Sequence, residues 1–191
     1  AMPEADARGA LNRVIEDYAG MAARIAALPA VTRAAPLVRG QVMATANQRN
    51  TGAEVYGIAA ADLATLPRIA DPEESAGDIA RFGAGIALGS GIARQLGLAA
   101  GDTIRLISPE GVKTAFGTSP RVKTYEVAYI FTAGRYDIDR TRIYMPFAEA
   151  QSYFNREGVA DEIEVMVRDP DRVEAAGPAI RQAAGGAVQL W

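Results

Sequence analysis

The chain contains neither cysteine nor histidine. Without thiols there is no cysteine nucleophile and no disulfide. Without imidazole there is no histidine general base, and the commonest soft metal ligands are gone. The lack of cysteine also suits an oxidising compartment, where stray thiols mispair. No apolar run approaches the roughly 18 residues needed to cross a bilayer, and no signal-peptide pattern precedes the first periodic segment. Strong charge of one sign is missing too. The formal net charge of −3 offers no field to hold nucleic acid or an anionic bilayer. What is present, 191 residues that are 49% hydrophobic, is enough for a substantial core in one domain or in two lobes sharing an interface.

Apolar residues at spacings of three and four from Leu11 to Leu28 predict an amphipathic helix over Asp6–Leu28, halted by Pro29 and Pro36. PLVRGQVMATA (36–46) and AEVYGI (53–58) predict a strand pair joined by the polar linker NQRNTG. Residues 61–78, acidic and proline-bearing, predict a surface excursion. GIALG (85–89) predicts a strand. SGIARQLGL predicts a helix with Ser90 as N-cap and Gly97 as its end, and AAGDTIRLIS a returning strand. A long strand is predicted over 121–134, a charged turn at RYDIDRT, and a helix starting at Pro146. EIEVMV predicts another strand, followed by a last helix with Gly177 and Pro178 inside it. The order predicts an α+β fold with mixed and antiparallel sheets and packed helices. The domain is expected to run from 4 to 191, with two lobes of about 4–58 plus 124–191 and residues 59–123 inserted. Ala1 and Met2 are expected to be a remnant of expression, and the chain, ending on VQLW, an excised piece.

Candidate chemistry is thin. Asp137 and Asp139 with Glu149 could pair carboxylates for acid/base work or a hard cation, against the plainer reading of a solvated turn balanced by Arg135, Arg140 and Arg142. Ser90 in GSG has the outline of a nucleophile elbow, but no histidine exists to activate it. FGAGIALGSG has neither dinucleotide spacing nor a phosphate-loop lysine, so close packing of strand on helix accounts for its glycines. LGLAAGDTIRL resembles small β-barrels, including the double-psi barrels of molybdopterin enzymes, which keeps a cofactor-binding barrel as an alternative. No catalytic residue, metal or cofactor is expected.

The stretch SPEGVKTAFGTSPRVKTY (108–125) is too long for a tight hairpin turn. Two extended strands of about six residues a side would make an arm reaching roughly 20 Å. Pro109 and Pro120 stiffen its bases, Gly111 and Gly117 permit sharp turning, and Phe116 sits near the tip as an anchor for a pocket in another protein. Arg105, Lys113, Arg121 and Lys123 against Glu110 leave a local cationic excess that would steer an acidic partner.

GIALGSGIARQLGLAAGDTIRLISPEG followed by TYEVAYIFTAGRYDIDRTRIYMPFAEAQSYF resembles the periplasmic domain of the LolC/LolE-type lipoprotein-releasing permeases of the MacB-like superfamily, over about residues 10–190. That resemblance implies a MacB-like periplasmic core with a protruding β-hairpin, in an inner-membrane protein of a Gram-negative bacterium. It implies a non-catalytic module anchored by membrane helices outside this sequence, with ATP hydrolysis on a separate subunit, LolD, and a second permease subunit alongside. Its partners would be lipoprotein substrate and the carrier LolA. The hook hairpin that captures LolA would be Pro109, Glu110, Gly111, Val112, Lys113, Thr114, Ala115, Phe116, Gly117, Thr118, Ser119 and Pro120. The supporting pad would be Arg105, Arg121, Val122 and Lys123. The hook departs from the family in its tip, AFGTSP, and Val122 stands where a polar residue is expected. The alternative within the superfamily is an exporter domain that contacts an adaptor protein.

Overall fold

The computed structural model describes residues 2–3, 14–114, 117–185 and 188–190. In chain order the elements begin with β1 (Met2–Pro3), α1 (Tyr18–Ala26), β2 (Val31–Ala46), β3 (Arg49–Ile58), α2 (Ala60–Leu63) and α3 (Pro67–Ala70). There follow β4 (Glu74–Gly77), β5 (Ile86–Gly89), α4 (Ser90–Leu96), β6 (Thr103–Thr114) and β7 (Gly117–Thr132). Last come α5 (Tyr136–Thr141), β8 (Arg142–Pro146), α6 (Phe147–Tyr153), β9 (Glu162–Val167), α7 (Val173–Ala183) and β10 (Val188–Gln189). The class is α+β. The chain divides into two units, Ala1–Val38 with Arg156–Trp191, and Arg39–Asn155. This division differs from boundaries near 58 and 124 because β3 pairs with β8 and β7 pairs with β5 and β6, which binds residues on both sides of the expected cuts into one sheet.

In the first unit the N-terminal half of β2 pairs antiparallel with β9, from Val31 opposite Val167 to Leu37 opposite Glu162. Ile15, Ala22, Ile25, Val31, Ile163, Ile180, Ala184 and Val188 form its core. The helix expected from Asp6 is present only from Tyr18. Residues 4–13 lie outside the described residues, and Ile15 instead exchanges backbone hydrogen bonds with Ala160 at 2.7 and 3.0 Å. Helix α7 continues through Gly177 and Pro178 as predicted. Arg24 Nε donates to the Ala183 carbonyl at 3.0 Å, satisfying an oxygen at the C-terminus of α7, where cations are favoured.

In the second unit, among the described residues, strands run in the order β3-β8-β5-β7-β6-β2, and pairing of β2 with β3 closes the path into a ring. Ile86, Leu88, Ile92, Leu96, Ile104, Leu106, Val127, Phe131, Ile143 and Met145 are buried within this unit. Each such side chain stabilises by about 1.5–3 kcal/mol. The ring starts at a tighter turn than the six-residue linker expected. Asn47 and Gln48 alone join β2 to β3, both at positive φ (49° and 61°), the signature of the hairpin turn whose twist matches its strands. The Asn47 side chain donates to the Leu96 and Gly97 carbonyls at 3.0 and 2.9 Å. Residues 61–78 are also more integrated than a surface excursion. Leu63 and Ile69 are buried, and β4 pairs antiparallel with β7.

Gly97, at φ 67°, ends α4 as predicted, but Ser90 is not its cap. Gly89 occupies the N-cap position, and the Ser90 hydroxyl is buried with no hydrogen-bond partner among the described residues. RYDIDRT is not a solvated turn. Residues 136–141 form helix α5, and the buried Asp139 accepts from Ala133 N–H at 2.7 Å. The glycines of 85–91 permit close backbone approach, as expected, but to α5 and β7. A Cβ on Gly91 would lie 2.8 Å from the Asp139 carbonyl, and one on Gly85 would lie 2.6 Å from that of Glu126.

Two stability effects follow. Gln48→Gly removes a left-handed strain worth about 1 kcal/mol and should raise the thermal midpoint. Gly85→Ala forces overpacking against β7 and should cost about 1–3 kcal/mol in denaturant melts.

Candidate functional site: a hairpin and the sheet face at its base

Residues 112–114 and 117–119 are paired in the sheet. The β6–β7 ladder runs from Thr103 opposite Glu126 to Ser108 opposite Arg121, shifts register, and resumes from Val112 opposite Ser119 to Thr114 opposite Gly117. The shift falls at Pro109–Gly111, which is where a proline without a donor and a glycine are tolerated in a strand. Ala115 and Phe116, the expected tip, lie outside the described residues. Pro109 and Pro120 are exposed at the base, and Gly111 is buried there. A side chain on Gly111 would run into the Ser119 carbonyl.

The end of α6 holds this base. Asn155, at φ 55°, donates from Nδ2 to the Gly111 carbonyl at 3.2 Å and accepts on Oδ1 from Arg121 Nη2 at 2.7 Å, so one side chain bridges both strands. Arg121 Nη1 also donates to the Ser152 carbonyl, and Tyr153 OH to the Arg121 carbonyl at 3.4 Å. One turn earlier on α6, Glu149 Oε1 accepts from Lys123 Nζ and from Tyr125 OH, both at 2.7 Å.

Strand alternation then divides the expected pad residues. Arg121, Lys123 and Tyr125 share the face turned to α6. Arg105 and Val122 belong to the opposite face, because residues directly paired across strands lie on one side and alternate along them. On that face two cross-strand rows can be read from the register, Thr45–Arg105–Thr124 and Met43–Ile107–Val122. Met43 (48%) and Val122 (54%) are among the most exposed large apolar residues described. Arg105 is exposed and has no ion pair or hydrogen bond among the described residues. It lines a recess of about 390 Å³ with Thr45, Asn47, Gln48, Thr103 and Thr124. The expectation from sequence included Arg105 and Val122 but missed Met43 and Ile107, whose placement depends on pairing with a strand sixty residues away. It also missed Asn155, for which a polar residue just past a helix end was the available signal.

Three phenols in the second unit are shifted upward by burial. Burial, reinforced by the Glu149 carboxylate, pushes Tyr125 far up. Burial pushes Tyr153 up to about 12. Burial also raises Tyr56 to about 12; the Arg39 and Arg142 guanidiniums lie 4.7 and 4.1 Å from its ring centroid, and its hydroxyl donates to Glu54 Oε2 at 3.1 Å. Among the described residues no group of three carboxylates is placed to hold a metal ion, and no helix is long and apolar enough to cross a membrane.

Because these folded-state pKa values lie above the ordinary 10.0, the stability the phenols contribute is complete below about pH 10 and is lost as pH rises through about 12. Absorbance titration in the native state should show ionisation of Tyr56, Tyr125 and Tyr153 displaced upward from the ordinary phenol range, together with unfolding. Tyr125→Phe should remove one of these late phenols.

The chain matches the family model of the MacB-like periplasmic core domain over residues 2–183. It is 24% identical over 147 residues to the lipoprotein-releasing system transmembrane protein LolC of Neisseria meningitidis serogroup B, spanning 76% of this chain and 35% of that protein. In fold it is similar to the extracellular domain of the noncanonic ABC-type transporter YknZ from Gram-positive bacteria (TM-score 0.56, 12% identity, 96% and 92% of the two chains). It is similar as well to the periplasmic region of MacB from Actinobacillus actinomycetemcomitans (TM-score 0.56, 11% identity, 96% and 82%). Matched by the family model over residues 2–183, this chain belongs to the family of MacB-like periplasmic core domains.

Proposed function

We propose that this domain is the carrier-docking module of a lipoprotein-releasing ABC transporter permease. The β6–β7 hairpin acts as the hook that captures LolA, and the free sheet face at its base acts as the pad. The hook spans Pro109–Pro120. The pad is centred on Arg105 and Val122, joined by Met43 and Ile107, while Arg121 and Lys123 serve as struts that fix the hairpin against α6. The domain is non-catalytic. LolD hydrolyses ATP, a second permease subunit completes the transporter in the inner membrane of a Gram-negative bacterium, and extracted lipoprotein passes to the carrier. The observation that carries this reading is the clamped hairpin beside an unpaired arginine and an exposed apolar row, in a chain similar to LolC. Its physical logic is preorganisation, since an arm already stiffened loses little freedom on binding.

A second reading, an exporter domain contacting an adaptor protein, is favoured by the fold's likeness to the periplasmic region of MacB.

Surface-immobilised LolA tests the first reading. Phe116→Asp should raise the dissociation rate about tenfold or more, as loss of a packed anchor does. Arg105→Glu should slow association, with the effect fading at high salt. Arg121→Ala should weaken capture by loosening the hairpin, visible as faster amide exchange at its base. Undiminished LolA capture after deletion of residues 110–119 would overturn the reading, and binding of a periplasmic adaptor in its place would establish the second.

A further inference from the structure

We propose a second docking site, separate from the hairpin, where the recess between α4 and α5 receives an acidic segment of a partner protein. Tyr136, the first residue of α5, is 75% exposed, the largest exposure among the large hydrophobic residues described. One exposed ring means little by itself. This ring is fixed, however. Arg140, one turn along the helix, lays its guanidinium 5.1 Å from the ring centroid and donates from Nη1 to the Tyr136 hydroxyl at 2.5 Å. Beside the pair is a cavity of about 420 Å³, lined by Gly91, Arg94, Gln95, Tyr136, Asp139 and Arg140.

The charge there is unbalanced. Asp139 turns its carboxylate inward to Ala133 N–H, and Asp137 is paired with Arg135 at 3.4 Å. Neither neutralises the two arginines of the recess. Arg94 has no hydrogen bond or ion pair among the described residues, and Arg140 keeps most of its five N–H donors after binding Tyr136. Two guanidiniums flanking a rigid, exposed phenol suit a carboxylate-bearing chain. Each fork can take a carboxylate in bidentate fashion, and the ring supplies contact area at low entropic cost. The same chemistry is too sparse for a polyanion, because attachment to anionic lipid or nucleic acid draws on many more cations and this molecule is net acidic.

Titration of the 191-residue protein followed by amide NMR tests the proposal, using a short blocked peptide that alternates aspartate and leucine and its asparagine counterpart. Inorganic phosphate and phosphatidylglycerol vesicles serve as separate arms. The expected result is saturable shifts confined to residues 90–96 and 136–141 with the acidic peptide only. They should weaken about tenfold in Tyr136→Ala and vanish in the double variant Arg94→Glu, Arg140→Glu, whose thermal midpoint stays near that of the parent because both side chains face solvent. Arg105→Glu should leave the shifts unchanged, which separates this site from LolA capture. The proposal is overturned if the acidic peptide gives no shifts there, if the asparagine peptide or phosphate alone reproduces them, or if the protein binds the vesicles and not the peptide.

Discussion

One asparagine holds the hairpin in place. Asn155 sits past the end of α6 in a left-handed conformation, and from there its amide reaches the Gly111 carbonyl on β6 and the Arg121 guanidinium on β7. An isolated two-stranded ribbon is marginal in water. This one is extended from a ladder whose lower half is part of a closed ring and whose base is gripped by a helix. The grip depends on Gly111, since any side chain there meets the Ser119 carbonyl, and the Gly111 carbonyl that Asn155 reaches lies within the register shift at Pro109–Gly111.

The same helix decides how charge is distributed. Lys123 and Arg121 would read, from composition, as part of one basic patch with Arg105. Glu149, the Ser152 carbonyl and Asn155 take up the first two, while Arg105, on the opposite face beside an apolar row, has no ion pair or hydrogen bond among the described residues. Exposed ion pairs such as Lys123–Glu149 contribute little to stability, about 0–1 kcal/mol, so their effect is chiefly on where cations point. Among the described residues, a partner approaching the free face therefore meets Arg105 and the Met43–Ile107–Val122 stripe, a more apolar surface than the local charge excess suggests.

Much of the fold could be read from periodicity. The strands at 86–89 and 162–167, the helix ending at Gly97 and the helix after Pro146 depend on local alternation and punctuation, which single residues announce. The misreadings share a cause. RYDIDRT looked like a turn because it is densely charged, yet Asp139 is buried as the acceptor of a backbone amide in a neighbouring loop, a partner invisible to local pattern. Ser90 had the right residue type for a cap, but β5 runs into α4 one residue earlier than capping requires, so Gly89 takes that position.

The sequence by itself determined the α+β class of the fold, the place of several strands and helices, and the presence of a long, proline-bounded, cation-flanked hairpin, because these rest on residue type and short-range spacing. It also excluded chemistry that depends on thiol or imidazole. The tertiary structure alone decided which cations are free and which are struts, and that β2 and β3 close a ring. Only there do Met43 and Tyr136 find their neighbours. Side-chain direction in a sheet follows from register, register follows from long-range pairing, and the neighbours that neutralise a charge come from elements far away in the chain.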